Sequence, residues 1–244
     1  MERNRPKVYA VIPAAGMGTR LGGSTAKQFL QLGEAPVLVH TLRRFEETAM
    51  VDEVGLAVPE NAIAEAEQLV ARFRLNKVSK IVAGGAQRQD SVHNVLRLLH
   101  LRATDIVLIH DGVRPFVTPR LITRVIEECA QHEAAVPAVQ PKDTIRRSNG
   151  GGFFDQTLDR AALWLIQTPQ AFHAGILLKA FEKAMRDRFF ATDEAALVER
   201  IGIRARIVEG SYDNIKITTR EDLDLGERIL ARWDVTTDTP DACI

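Results

Sequence analysis

The 244-residue chain has few cysteines, no excess of either charge and no long hydrophobic run. Its two cysteines, Cys129 and Cys243, lack the spacing of a zinc site or a redox motif, which favours a reduced, cytoplasmic protein. Lysine plus arginine equal aspartate plus glutamate at 32 each, so a nucleic-acid or membrane surface is not expected. The apolar run 8–12 is far shorter than the roughly 20 residues that span a bilayer. The sequence predicts no membrane partner and no signal peptide.

Short apolar runs instead alternate with helical periods, the order expected of βαβ units. The predicted strands are 8–12, 54–58, 78–82, 106–109 and 134–139. Helices follow from i, i+3, i+4, i+7 spacing after Val92 and after Ile122, and Thr118 with Pro119 is a typical helix start. Thr219 with Asp222 predicts the start of a last helix. We therefore expect one α/β domain over 1–244, with a Rossmann-like, mostly parallel twisted sheet flanked by helices.

One segment, 144–163, has neither period. Its "SNGGG" separates two short polar stretches, as in a hairpin. We predict a protruding β-arm. Because a two-stranded arm is marginally stable alone, it is expected to pack on something, and a second copy of the chain is the partner we favour.

The stretch "AVIPAAGMGTRLGGSTAKQF", residues 10–29, places small residues directly after the first strand. It is not a dinucleotide loop, because Leu21 stands in the third glycine position, and not a P-loop, because Ser24 stands where the lysine must be. Small residues let backbone N–H groups approach an anion, and cations beside them suit a polyphosphate. The bland alternative is a chain turn with solvated cations. The residues concerned are Ala14, Ala15, Gly16, Gly18, Arg20 and Lys27.

This stretch resembles the triphosphate-binding signature of nucleotidyltransferases that join a sugar or polyol phosphate to a nucleotide. Seven later blocks, in order, are similar to those of the 2-C-methyl-D-erythritol 4-phosphate cytidylyltransferase family, so the resemblance covers about residues 8–225. The blocks are "AGGAQRQDSV", "HDGVRPF", "PKDTI", "TLDR", "QTPQAF", "TDEA" and "DNIKIT".

The resemblance implies attack by a substrate phosphate oxygen on the α-phosphate of CTP, with release of pyrophosphate. It assigns catalytic roles to Arg20, Lys27 and Lys216, and nucleotide contacts to Ala14, Ala15, Gly16, Gly18, Gly84, Gly85, Arg88 and Ser91. Asp111, at the expected carboxyl end of strand 106–109, would hold Mg²⁺ with phosphate oxygens; the alternative is a plain Asp-Gly turn. Because a substrate phosphate is already ionised, neither His93 nor His110 is predicted to be a general base.

The same resemblance predicts the acceptor site and the assembly. Acceptor contacts would come from Asp111, Arg114, Thr144, Arg160 and Thr192, with Thr144 and Arg160 reaching a neighbour's site through the arm of a homodimer. Thr192 is also predicted to cap the helix that follows, and Lys216 to lie on an alternating strand. Gly112 and Val113 stand where the family often has two alanines, as in relatives that use ribitol phosphate, so ribitol 5-phosphate is the alternative acceptor.

Overall fold

The structure, a computed structural model, describes residues 5–16 and 26–236. The predicted site residues Gly18 and Arg20 lie outside the described residues. The strands are β1 (Val8–Pro13), β2 (Gln31–Leu32), β3 (Ala35–Pro36), β4 (Glu53–Val58), β5 (Val78–Ala83), β6 (Ile106–Ile109), β7 (Ala134–Val139), β8 (Arg146–Ser148), β9 (Phe154–Thr157), β10 (Leu165–Ile166), β11 (Gln170–His173) and β12 (Arg206–Glu209).

The helices alternate with the strands from β3 to β7, as the periodicity predicts, but β7 to β11 follow one another without an α-helix between them. The helices are α1 (Val37–Glu47), α2 (Ile63–Arg72), α3 (Arg88–Leu96), α4 (Pro119–His132), α5 (Ala174–Asp187), α6 (Glu194–Glu199) and α7 (Arg220–Thr236). Within residues 5–16 and 26–236, no helix combines the length and apolarity needed to cross a membrane.

The central sheet is mixed but mostly parallel, which confirms the predicted fold class. β1 pairs in parallel with β4 and with β6, and β4 pairs in parallel with β5. β11 runs antiparallel between β6 and β7, while β7 pairs in parallel with β12 and in antiparallel fashion with β10. All five predicted strands are present. β10, β11 and β12 were not predicted from the sequence.

Helices cover both faces of the sheet, and this explains the continuous apolar strands. Along β1, Ala10 and Ile12 face the cluster that holds α1, α2 and α4, whereas Tyr9 and Val11 face the cluster that holds α3, α5 and α6. Because both faces are buried, each strand contributes side chains in both directions, and polar residues are displaced to the strand ends. Polar side chains therefore follow the carboxyl ends of β5 and β6, whereas small residues follow the carboxyl end of β1.

Two predicted helix starts are confirmed by their hydrogen bonds. The Thr118 hydroxyl accepts from the backbone N–H of Leu121 at 3.1 Å, with Pro119 as the first helical residue. At α7 the Asp222 N–H donates to the Thr219 hydroxyl at 3.3 Å, and the Thr219 N–H donates back to the Asp222 carboxylate at 2.9 Å. Each cap satisfies backbone donors that the first helical turn leaves without partners.

The predicted arm is a hairpin of β8 and β9, which pair with each other and not with the central sheet. The two strands are exposed along their length. At its tip, Phe153 is 74% exposed and Phe154 72% exposed. Two adjacent aromatic side chains in water are unusual on a surface that contacts nothing.

Two local predictions were wrong. Thr192 does not cap α6: the Asp193 carboxylate does so, accepting from the Ala196 N–H at 3.1 Å. Aspartate and threonine are both good caps, and the helix starts one residue later than expected. Lys216 does not lie on a strand, because its segment runs beside the loop after β6 with one backbone bond, Ile217 N–H to Val113 C=O at 2.9 Å, instead of a ladder.

Candidate active site

The loop after β1 lies against the loop after β5, and glycine makes this approach possible. A Cβ atom on Gly84 would lie 2.1 Å from the Cβ of Ala15 and 2.8 Å from the Ser91 hydroxyl, closer than atoms can pack. The Ala14 N–H donates to Ala57 C=O at 2.7 Å, which fixes the start of the first loop. The predicted small residues at 14–16 and 84–85 therefore meet at one edge of the sheet.

These loops enclose a cavity of about 350 Å³, which we call the loop pocket. Its lining joins the loop after β1, the start of α3, Lys27 and the turn after β6. The residues are Pro13, Ala14, Ala15, Gly16, Lys27, Gln28, Gly85, Ala86, Gln87, Arg88, Ser91, Asp111, Val113 and Lys216.

The Ser91 hydroxyl is used within its own loop. It accepts from the Gly85 N–H at 3.1 Å and donates to Gln87 C=O at 3.1 Å. Gln87 is the residue directly before α3, and its N–H donates to the Asp90 carboxylate at 3.0 Å. Ser91 thus shapes the wall of the loop pocket, and its predicted contact with a base stays a prediction.

Asp111 lies at the centre of the site. It is 6% exposed and follows β6, at the sheet edge that the sequence predicted. Arg88 Nε donates to Oδ1 at 2.9 Å, Lys216 Nζ lies 3.0 Å from Oδ2, and Arg114 Nε lies 3.4 Å from Oδ2. Burial alone would raise the pKa of Asp111, but the three cations hold that pKa well below its usual range. Asp111 is therefore ionised at neutral pH.

A chain of hydrogen bonds fixes the backbone at Asp111. The buried His110 contacts Arg114 C=O through Nε2 at 3.1 Å, and because a carbonyl only accepts, Nε2 carries the proton. Nδ1 then accepts from the Thr168 hydroxyl at 3.0 Å, and that oxygen accepts from the Asp111 N–H at 3.1 Å. Burial lowers the pKa of His110 to about 3. His110 is a neutral structural residue with both ring nitrogens engaged.

A second cavity, of about 230 Å³, opens on the other side of Asp111, and we call it the Thr192 pocket. It gathers residues of β10, of the 167–170 segment and of the loop before α6. The residues are Arg88, Asp111, Arg114, Ile166, Gln167, Thr168, Gln170, Thr192, Asp193 and Lys216. Arg88, Asp111 and Lys216 line both cavities and so form the wall between them.

The segment that carries Lys216 is held by Asn214, which is fully buried. Its side-chain amide donates to the backbone C=O of Thr168 at 2.9 Å, and the backbone C=O of Asn214 accepts from Arg114 Nη1 at 2.8 Å. Gln167 adds two bonds to Ser211, through its amide at 2.7 Å and its oxygen at 3.2 Å. Lys216 therefore reaches Asp111 from a braced irregular segment, which periodicity alone could not reveal.

Sequence reasoning missed Glu194, which is 1% exposed. Arg88 Nη1 donates to both of its carboxylate oxygens, at 2.7 and 2.8 Å. Burial raises the pKa of Glu194, and the charge and hydrogen bonds of Arg88 offset part of that rise. The two groups form a buried ion pair. The "TDEA" block contains Glu194, but a local helix start suggests only an acid near a helix dipole.

Thr144 and Arg160 are not brought to either pocket of the described chain. Thr144 is exposed, and Arg160 Nη1 donates to Lys142 C=O at 2.8 Å on the arm's own base. If these two residues contact substrate, another copy of the chain must bring them there.

The residues around Asp111 suit a metal ion whose coordination comes mainly from the phosphates of a bound substrate. In the part of the chain that the structure describes, no group of three or more His, Cys, Asp or Glu side chains could hold a metal ion. Mg²⁺ at nucleotide sites takes one or two carboxylates, with phosphates and water completing the octahedron. Asp111 fits that role once Lys216, which is 37% exposed, turns from the carboxylate to a phosphate.

The charges of the wall favour anions. The lining of the loop pocket has three cations, Lys27, Arg88 and Lys216, and one carboxylate, Asp111. The lining of the Thr192 pocket has three cations, Arg88, Arg114 and Lys216, and two carboxylates, Asp111 and Asp193, with Glu194 buried behind Arg88. A partly buried site with excess positive charge and backbone N–H groups binds phosphates. Two anionic groups could meet at this wall, one from each pocket.

Comparison with known proteins identifies the arrangement. Residues 8–232 match the family model described as IspD, 2-C-methyl-D-erythritol 4-phosphate cytidylyltransferase. The enzyme of that name from Syntrophus aciditrophicus is 44% identical over 93% of this chain and 97% of that protein, and the one from Geobacter metallireducens is 47% identical over 91% and 97%. The crystal structure of the Thermus thermophilus enzyme superposes with a TM-score of 0.76 at 35% identity, over 93% of this chain and 99% of that one.

Proposed function

The chain belongs to the 2-C-methyl-D-erythritol 4-phosphate cytidylyltransferase family, and from this premise we propose how it works. It transfers CMP from CTP to 2-C-methyl-D-erythritol 4-phosphate. The products are 4-diphosphocytidyl-2-C-methyl-D-erythritol and pyrophosphate, in the non-mevalonate route to isoprenoids. The observation that carries the proposal is the shared wall of Arg88, Asp111 and Lys216 between two pockets.

The two pockets divide the substrates. CTP suits the loop pocket, where the small residues at 14–16 and Lys27 would meet the triphosphate. The acceptor phosphate suits the Thr192 pocket, where Arg114 and the loop before α6 are available. Reaction requires the acceptor phosphate and the α-phosphate to meet, and the shared wall is the place where both pockets end. Positioning of this kind is the main contribution a protein makes to such transfers.

In the transfer step an acceptor phosphate oxygen forms a bond to the α-phosphorus of CTP, and the bond from that phosphorus to the bridging oxygen of the β-phosphate breaks. Pyrophosphate leaves with the electron pair. No proton has to be removed from the acceptor, which agrees with the neutral, fully engaged His110. Lys216, released from Asp111, would donate to the α-phosphate as its oxygens gain charge. Arg20 and Lys27 are proposed to neutralise the triphosphate.

Mg²⁺ is the proposed cofactor. It would be held by triphosphate oxygens and Asp111, and when bound it would neutralise phosphate charge and favour departure of pyrophosphate. Arg88 and Arg114 would still contact Asp111 and hold its carboxylate in place when the metal is bound.

We also propose a cytoplasmic homodimer built through the arm. Its support is the resemblance of 144–163 to the family's crossing arm, the exposed Phe153 and Phe154, and the distance of Thr144 and Arg160 from the pockets of their own chain. Co-expression of Asp111→Asn with Arg160→Ala chains tests it. When the two chains are expressed equally, half of the dimers are mixed. In a mixed dimer, one of the two sites combines the intact Asp111 of one chain with the intact Arg160 of the other, so about a quarter of all sites should regain activity. No recovery over the two separate variants would contradict a shared site.

Pyrophosphate release from CTP and Mg²⁺ tests the main function. One reaction contains 2-C-methyl-D-erythritol 4-phosphate and the other ribitol 5-phosphate. Release with the first acceptor alone is expected. Release with the second alone would keep the chemistry and replace the acceptor, whereas silence with both would reject the transferase function.

A further inference from the structure

Glu194 is a buried carboxylate to which the proposed reaction assigns no task. It is the first residue of α6, and its side chain meets an arginine 106 residues earlier in the sequence. Both carboxylate oxygens accept from Arg88 Nη1, at 2.7 and 2.8 Å. A carboxylate this deeply buried needs a cation to remain ionised. Such a contact fixes the guanidinium more tightly than a single bond would.

The Nε side of the Arg88 guanidinium contacts Asp111 in the wall between the two pockets. Its Nε donates to Asp111 Oδ1 at 2.9 Å, so one planar group bridges Glu194 and Asp111. Nη2 is buried and has no hydrogen-bond partner among the described residues. The position of Arg88 therefore depends on the two carboxylates, and Asp111 alone would hold it through one bond.

Two glutamines fix the frame on which Glu194 stands. Gln89, next to Arg88 on α3, donates to Phe189 C=O at 3.2 Å and accepts from the Ala191 N–H at 3.0 Å. Gln170 on β11 donates to the Asp193 carboxylate at 2.8 Å and accepts from the Ala195 N–H at 3.0 Å. The loop before α6 is thereby tied both to α3 and to the central sheet. The backbone that carries Glu194 is therefore fixed by hydrogen bonds on both sides.

We propose that Glu194 is a positioning residue for the transfer: it holds Arg88 against Asp111 at the wall between the loop pocket and the Thr192 pocket. By neutralising Arg88, it also keeps that cation from competing with the other proposed phosphate ligands for the substrate phosphates. The inference rests on the proposed function. Glu194 touches no substrate in this scheme and acts through Arg88 on Asp111.

The test replaces Glu194 with residues that differ in charge or reach. Glu194→Gln keeps the size and one acceptor but loses the charge that balances Arg88. We expect kcat to fall about 100-fold, because small misplacement of reacting groups costs that much, while KM for CTP stays within about threefold. Glu194→Asp keeps the charge but withdraws it by one methylene and should lie between Gln and wild type. Glu199→Gln, on the exposed end of the same helix, is the matched control and should behave as wild type.

A paired variant separates positioning from folding. Glu194→Met leaves Arg88 buried without its main partner and should lower the unfolding temperature; adding Arg88→Met removes the stranded charge and should restore much of it. Because Arg88 itself lines both pockets, the double variant is compared with Arg88→Met alone, which gives the loss of kcat due to Arg88. If Glu194 acts through Arg88, Glu194→Met lowers kcat when Arg88 is present and causes no further fall when Arg88 is replaced by methionine. If kcat per folded protein is the same in Glu194→Met and in wild type, Glu194 only stabilises the fold and the proposal is overturned.

Wild-type activity in the same assay keeps the two proposals apart. A wild-type protein that is silent with both acceptors rejects the proposed function. An active wild-type protein together with a folded Glu194→Gln variant of near-normal kcat rejects the positioning role alone. Should Glu194→Gln prove unstable, the comparison of Glu194→Met with and without Arg88→Met decides, with kcat expressed per folded protein.

Discussion

Replacing Asp111 with asparagine removes one negative charge without changing the shape of the side chain. Arg88, Lys216 and Arg114 would then crowd a neutral group within 3.4 Å. Removing one partner of a buried ion network costs about 3–5 kcal/mol. For a domain of this size that corresponds to a fall in unfolding temperature of about 6–20 °C. A stability in the middle of the typical range, about 10 kcal/mol, leaves the variant folded near room temperature.

The effect should carry a particular pH dependence. The folded-state pKa of Asp111 lies below its unfolded value, so its carboxylate stabilises the fold at every pH above the ordinary pKa near 4. This stabilisation is lost only as the pH falls towards the depressed folded-state pKa. The gap in unfolding temperature between wild type and Asp111→Asn should therefore be constant from about pH 5 to pH 8 and shrink below about pH 4.

Thermal unfolding and pyrophosphate release measure the two consequences in the same protein. We expect kcat to fall about 100-fold or more, since Asp111 orders the cations on both sides of the transfer. Asp187→Asn is the control, because Asp187 pairs with Lys183 and Arg200 on the surface and lines neither pocket that the described residues form. A folded Asp111→Asn variant with substantial Mg²⁺-dependent turnover would refute its central role. An unchanged unfolding temperature would refute the claim that the Asp111 carboxylate stabilises the fold through Arg88, Arg114 and Lys216.

Three further predictions follow from neighbouring residues. In Gly112→Ala the new Cβ would lie 2.7 Å from the Cβ of Ala14, so steady-state kinetics should show KM for CTP raised about tenfold and the acceptor preference unchanged. Because His110 stays neutral in the fold until about pH 3, the free energy of unfolding should fall by about 1 kcal/mol per pH unit from pH 6.5 to pH 4; an equal slope in His110→Asn would contradict this. Lys216→Ala should lower kcat about 100-fold, whereas the exposed Lys179→Ala should not.

Much of the fold follows from local signals in the sequence. The strands β1, β4, β6 and β7 are buried on both faces, so their apolar runs are continuous and easily read, whereas β5 at the edge of the sheet is only partly buried. The cap at Thr118 is equally local. β11 is only Gln170–His173 and begins with a buried glutamine that braces α6, so its composition does not resemble a core strand. Its place between β6 and β7 depends on pairing with distant strands.

The candidate site divides along the same line. Ala14 and Asp111 were expected at one sheet edge because each comes after a buried strand, whereas Gly84 was assigned through the family resemblance. Glu194 was missed, because its role exists only through Arg88, 106 residues away. Thr192 was misjudged as a cap because Asp193 competes for the same task. Long-range pairing and competition between adjacent caps are decided by packing, which a single sequence does not display.

The structure also explains why Gly112 and Val113 say little about the acceptor. Val113 is buried with Leu32 and Phe116 and lines the loop pocket, while the side of Gly112 that lacks a Cβ faces Ala14. Neither is among the described residues that line the Thr192 pocket, where the acceptor is proposed to bind. Residues that do not touch the acceptor cannot distinguish methylerythritol from ribitol by contact. On the proposed division of the substrates, the departure from the family's alanine pair is therefore a packing difference on the nucleotide side, and acceptor choice is expected to depend on the Thr192 pocket.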